Sequence, residues 1–298
     1  MSGSAVVAGL LLLALEAGET VVSVPGGRIE VLIMGEPRRV SRAHLLSWVE
    51  GSARAVASYY GAFPVPGVRV TIKARGQGKV SDGHALGNAS GAFITITAGE
   101  DTRASDLNKN YELTHEMVHL AFPSMKNGAA WIEEGLATYV EPIARARAGR
   151  SEREEIWGWL IRGLPLGEAA LSREGLDKAQ GHDATYWGGA LFCFLADVEI
   201  RRRTDNRKSL DDALRGIVRA GGNITVSWDL QRALAEGDRA TGVPVLAELY
   251  ERMGQKPVTP RAVKMLAALG VTGRRSALKI EDRAPLAAIR QGIETGRT

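Results

Sequence analysis

His115-Glu116-Met117-Val118-His119 is the segment that most constrains this chain. Two histidines four apart on a helix project from one face and can share a single divalent ion. The glutamate between them sits about 100° round the helix, where it can hold a water without being a ligand. A chain built around this pattern keeps the helix half packed and half open to a cleft. Leu113, Met117 and Leu120 recur at i, i+4 and i+7 and mark the packed side. Asp106 is placed to cap the helix and Pro123 to stop it. The chain has only five histidines in 298 residues, so the pattern seldom arises by chance.

A third ligand is available in a second predicted helix, 129–141, which Pro142 is expected to end or kink. Ile132, Leu136, Tyr139 and Val140 form its apolar stripe. Glu134, Thr138 and Glu141 fall on the far side, so Glu134 can face the histidines. Two histidines, one carboxylate and one open position describe a catalytic zinc site rather than a closed structural one. The linker 121–128 contains Pro123, Asn127 and Gly128 and suits a tight reversal between antiparallel helices. Glu112, Thr138 and Glu141 are candidate partners for the free ring nitrogens of the histidines.

Three segments together resemble the gluzincin metallopeptidases, most nearly the glycyl aminopeptidase branch and short peptidase MA-like proteins. His115, Glu116 and His119 match the zinc motif. Trp131-Ile132-Glu133-Glu134-Gly135-Leu136-Ala137 is similar to the family's Trp-x-x-Glu-Gly-x-Ala segment. Thr185-Tyr186-Trp187-Gly188-Gly189-Ala190-Leu191 is similar to its Tyr-x-x-Gly-Ala stretch. Residues 197–203 and 209–212 also read like that branch, and the resemblance covers roughly residues 40–220. It implies one Zn2+ per chain on His115, His119 and Glu134, with Glu116 as general base and Tyr186 steadying the transition state. The implied fold is α+β with a thermolysin-like metallopeptidase core. A small mixed β-sheet lobe precedes a mainly helical lobe, with the His-Glu-x-x-His helix between them. The implied activity is zinc-dependent hydrolysis of peptide bonds in peptide or protein substrates. The alternative is an inactive gluzincin-like zinc protein that holds a peptide or protein partner.

Substrate backbone is expected to pair with an edge strand along the cleft. The segment 83–97 fits, with Phe93, Thr95 and Thr97 alternating with Ile94 and Ile96, and glycines before them for close approach. Aminopeptidases of the resembled clan carry a glutamate before the edge strand to hold the substrate amine. No acidic residue lies between Gly83 and Gly99, and Asp82 is wrongly spaced. Terminal trimming and internal cleavage are therefore both open.

Hydrophobic content of 45% and charged content of 24% are ordinary for a folded enzyme. The net charge of +4 is too small and dispersed to imply nucleic acid. Arg201, Arg202, Arg203, Arg207 and Lys208 read as a solvated helix C-terminus. Cys193 is the only cysteine, excludes an intrachain disulfide, and is expected to be packed. Trp157, Trp159 and Trp187 read as core anchors, Asp183 as an N-cap, and His44 as structural or exposed. His182 reads as an exposed loop residue or as one lining the cleft, and the role of His84 is open.

Residues 1–17, with an apolar run from Val6 to Leu15, read as a signal peptide for periplasmic or secreted export. A cytoplasmic location follows if the run is an ordinary element, and it is too short to span a membrane. The α/β lobe is expected over 18–128 and the helical lobe over 129–298. Within them the pattern predicts a hairpin at 21–34, a helix at 41–60 and a strand at 68–73. Later helices are predicted at 151–163, 184–203, 209–220, 228–236, 242–254 and 258–269, then strands within 270–281 and a helix from Pro285.

Overall fold

The computed structural model describes residues 19–126 and 129–296. The apolar run at 6–15 and the linker residues Asn127 and Gly128 lie outside the described residues. Strands β1 (Glu19–Val24) and β2 (Gly27–Met34) form the predicted hairpin. Gly26 at its turn has φ 85°, a left-handed value that only glycine takes freely. Helix α1 (Arg42–Tyr60) starts where Ser41 Oγ accepts the His44 N–H at 3.2 Å. Strands β3 (Gly67–Lys73), β4 (Val80–Asn88) and β5 (Gly91–Ala98) complete a sheet of order β1-β2-β3-β5-β4. The three central strands are parallel, and β1 and β4 run antiparallel along the two edges. Period-two alternation buries Ile29, Val31, Val70, Ile72, Ile94 and Ile96 in one cluster with Leu45, Val49 and Val56 of α1.

The expected edge strand is corrected in part. Phe93–Thr97 belongs to β5, an interior strand paired on both sides. The edge is β4, the stretch holding Gly83, His84 and Gly87. Alternating β-branched residues signal a strand with a buried face. A glycine-rich edge has weak strand propensity and is read less easily.

The predicted motif helix is two helices, α2 (Ala104–Lys109) and α3 (Glu112–His119). Asp106 Oδ2 accepts the Arg103 N–H at 2.9 Å and so closes the start of α2 instead. Asn110 Oδ1 accepts the Glu112 N–H at 3.0 Å and starts α3, which ends at His119, before Pro123. The short strand β6 (Ser124–Met125) leads to α4 (Ala130–Arg147). That helix runs through Pro142 rather than ending there. Proline removes the N–H that would bond the Thr138 carbonyl, and the Trp159 indole supplies a replacement at 3.3 Å.

Helix α5 (Arg153–Leu171) is longer than predicted and also contains a proline, Pro165. The predicted helix 184–203 opens with a π-helical turn, Asp183–Gly188, before α6 (Gly189–Arg203). Asp183 is the first residue of that turn, and no side chain caps it. Then follow α7 (Leu210–Arg219), β7 (Ser227–Trp228), α8 (Leu230–Thr241), α9 (Val245–Met253) and α10 (Ala262–Ala268). The chain continues with β8 (Val271–Arg274), β9 (Ala277–Ile280) and α11 (Ala287–Thr295). Ser209 and Asp212 form the capping box of α7. Parallel pairing of β6 with β7 ties the linker after α3 to the later helices.

Cys193, Trp157 and Trp187 are buried, as expected. Arg201 is not a solvated cap: it is 0% exposed, and its Nε bonds Asp197 at 3.0 Å. Asp197 also accepts the Tyr139 hydroxyl at 2.9 Å and the Leu210 N–H at 2.9 Å. Helix periodicity alone does not place Arg201 inside, because Gly292 of α11, far along the chain, packs against its guanidinium. No described helix is long and apolar enough to cross a membrane.

Candidate metal centre

Helix α3 presents both histidines to the first turns of α4. His115 Nε2 lies 3.2 Å from Glu134 Oε2, and His119 Nε2 lies 3.6 Å from the same oxygen. One donor atom from each residue falls within 4.8 Å of the others, the single such group found among the described residues. Donors each about 2.0–2.1 Å from a tetrahedral zinc ion stand about 3.3–3.4 Å apart, so both histidine–Glu134 separations suit one zinc. Opposite them, Leu113, Met117 and Leu120 are fully buried, which holds α3 in place. Burial lowers the His115 pKa. Burial would lower His119 too, but Glu134, with Glu116 and Glu133, outweighs it and raises that group. Glu134 would be lifted by burial, yet the two histidines hold it well below the usual carboxylate range.

Glu116 lies under the edge strand. It accepts the Ala85 N–H, and Gly83 packs so closely that a Cβ there would be 2.9 Å from Glu116 Oε1. Burial raises its pKa to about 7, against the opposing pull of His119. Tyr186 reaches the centre from the π turn, and π turns recur at functional sites. Its ring stacks on His115 at 6.2 Å between centroids, with 17° between planes. Burial and the facing Glu134 carboxylate push its hydroxyl up to about 12. Glu116, His119, Glu134, Tyr186 and the edge strand line one cleft of about 380 Å³.

All five candidate residues therefore meet at one place. The suggested outer partners do not. Glu141 is buried and pairs with Arg145 at 3.2 Å, Glu112 Oε1 lies 3.5 Å from the Gly83 N–H, and Thr138 offers its carbonyl to Trp159. Asp82 sits in a bulge of β4 at φ 55°, bonded to Ser81, and does not line the cleft. Two further residues flank the centre. His182, though exposed, stacks on the Tyr186 ring at 4.5 Å, and the spacing of four between them was its only signal. Glu133 lines the cleft beside Glu134, its Oε1 accepting the Met125 N–H at 2.8 Å. Burial raises its pKa.

No protein-family profile matches the chain, and no curated protein sequence does. Solved structures do share its fold. One is an aminopeptidase N family protein from Idiomarina loihiensis, with TM-score 0.62 and 12% identity over 86% of this chain and 49% of that one. A two-domain M1 zinc metallopeptidase bound to L-arginine gives 0.51 and 13% over 83% of this chain and 54% of that one. Yeast LTA4 hydrolase in complex with bestatin gives 0.51 and 13%, over 81% and 40% respectively. The chain thus spans about half the length of these proteins. It shares the fold of these M1 zinc metallopeptidase and aminopeptidase N family structures.

Proposed function

We propose that this chain is a zinc-dependent peptidase with a thermolysin-like core, hydrolysing peptide bonds with Glu116 as general base. The observation that carries the reading is one carboxylate oxygen of α4 within 3.2 Å and 3.6 Å of two histidine nitrogens of α3. His115, His119 and Glu134 would hold the ion. Bound there, zinc supplies polarisation of the scissile carbonyl and acidification of water.

The chain's own groups do the rest. Extended substrate pairs with the outer edge of β4, which sets the scissile bond over Glu116. Glu116 takes a proton from the attacking water and hands it to the leaving amine. Its bond to the Ala85 N–H orients the carboxylate for that transfer. The Tyr186 hydroxyl keeps its proton at neutral pH and donates a hydrogen bond to the oxygen where charge develops.

The test pairs metal analysis of purified protein with cleavage of a mixed peptide library, read by mass, with and without a chelator. About one zinc per chain and chelator-sensitive cuts are expected. Protein that binds no zinc, or cuts that survive both the chelator and Glu116→Gln, would end this reading.

A further inference from the structure

Tyr186 is held firmly by its backbone and loosely by its ring. The π turn that carries it lies against two glycines of α5. A Cβ on Gly163 would stand 2.0 Å from Trp187 Cζ3, and one on Gly167 would stand 2.2 Å from the Trp187 carbonyl oxygen. The phenol itself lines the cleft and turns on two rotatable bonds. Two imidazoles stack on it. His115 is the more distant, 6.2 Å between centroids, and its side chain is 12% exposed. His182 is the nearer, 4.5 Å between centroids with 11° between planes, a near-parallel stack of the kind aromatic pairs favour. The spacing of four between His182 and Tyr186 puts both on one face of the turn.

His182 has little part in the rest of the molecule. Its side chain is 70% exposed, and its polar neighbour is Asp183, whose Oδ1 lies 3.6 Å from Nδ1. It does not line the cleft. An imidazole outside both cleft and core reaches the chemistry only through the ring it covers. A catalytic donor has to be held within about 0.5 Å of its working position. Misplacement by about 1 Å costs about 100-fold. We infer that His182 is a positioning residue, whose ring restricts the swing of Tyr186 and so keeps the hydroxyl where negative charge develops. This rests on the role given to Tyr186 above, and it assigns His182 no contact with substrate or metal.

The test compares zinc-loaded native protein with His182→Ala, His182→Phe, Tyr186→Phe and the double variant His182→Ala/Tyr186→Phe. His182→Ala should lower kcat about 2- to 10-fold, the span of one aromatic stack. KM, zinc content and the urea midpoint should not change, since the side chain is exposed. His182→Phe keeps a ring and should restore kcat to within about 2-fold of native. The double variant should match Tyr186→Phe alone, because no hydroxyl is left to position. A readout without turnover comes from magnetic resonance of zinc-free protein with ring-labelled tyrosine. The Tyr186 signal, identified by its loss in Tyr186→Phe, should move downfield in His182→Ala as the stacked ring current is removed. Native kcat in His182→Ala, a multiplied loss in the double variant, no rescue by His182→Phe, or an unmoved Tyr186 signal overturns the inference. Native kcat in Tyr186→Phe removes the role of Tyr186 and this inference with it. Absence of turnover in every zinc-loaded protein fails the peptidase reading instead, and the Tyr186 signal then decides whether His182 holds the ring.

Discussion

Gly135 and Gly189 meet backbone to backbone where α4 crosses α6. A Cβ on Gly135 would fall 2.3 Å from the Gly189 carbonyl carbon, and one on Gly189 would fall 1.8 Å from the Trp131 carbonyl oxygen. The glycines of two separate motif segments are thus one contact, set one residue from Glu134 and three from Tyr186. Gly135→Ala should force the helices apart and cost about 1–3 kcal/mol or more in stability. It should also weaken zinc retention, because Glu134 moves with α4. Denaturant unfolding and zinc content per chain read both effects, and an unchanged zinc content would disconnect the crossing from the site.

Glu134→Ala leaves two histidines and no carboxylate. Zinc should fall well below one per chain, with chelator-sensitive activity lost, while the fold persists because Glu134 is only half-buried. Elemental analysis and circular dichroism check the pair of outcomes.

Glu116→Gln should keep zinc and lose about 100- to 10,000-fold in kcat, the span of general-base contributions. The base works as the carboxylate, so activity is lost as pH falls through its pKa. Burial raises that pKa to about 7, and a bound dication can only lower it. The acid limb of kcat/KM should therefore lie at or below pH 7, and a limb well above 7 would assign it to another group.

Tyr186→Phe removes one hydroxyl and keeps the ring that stacks on His115 and His182. A loss of about 100- to 1,000-fold in kcat with zinc retained is expected if the hydroxyl stabilises the transition state. Steady-state kinetics beside metal analysis decide it.

Glu141 offers a stability test away from the chemistry. Burial raises its pKa to about 7, and Arg145 offsets only part of that. Its folded pKa lies above its unfolded one, so its contribution is fully present below about 4.5 and is lost as pH rises through about 7. The stability of the native protein relative to Glu141→Gln should therefore shrink between those pH values and level off above. Urea unfolding of both proteins across that range measures the trend.

Local chemistry made much of this readable in the chain. Leu113, Met117 and Leu120 marked the buried side of α3, and the two histidines therefore marked the open side. The i, i+4 spacing and the resemblance of the second segment singled out His115, His119 and Glu134, whose donor atoms lie within 4.8 Å of one another. Period-two alternation found β2, β3 and β5 for the same reason.

Where partners are distant, the chain alone was silent or misleading. Pro142 does not end α4, because the Trp159 indole from another helix satisfies the carbonyl it frees. Arg201 is buried, with Gly292 of α11, 91 residues later, packed against its guanidinium. Asp106 caps a different helix, because Asn110 starts a new one. The close approach of Gly87 to the Ile224 backbone joins residues 137 apart, and no local pattern encodes it. The residue types and their helical faces were determined by sequence, since those follow from backbone period and side-chain chemistry. Which faces meet, and so the 3.2 Å between His115 and Glu134, was decided by tertiary packing, which acts through contacts far apart along the chain.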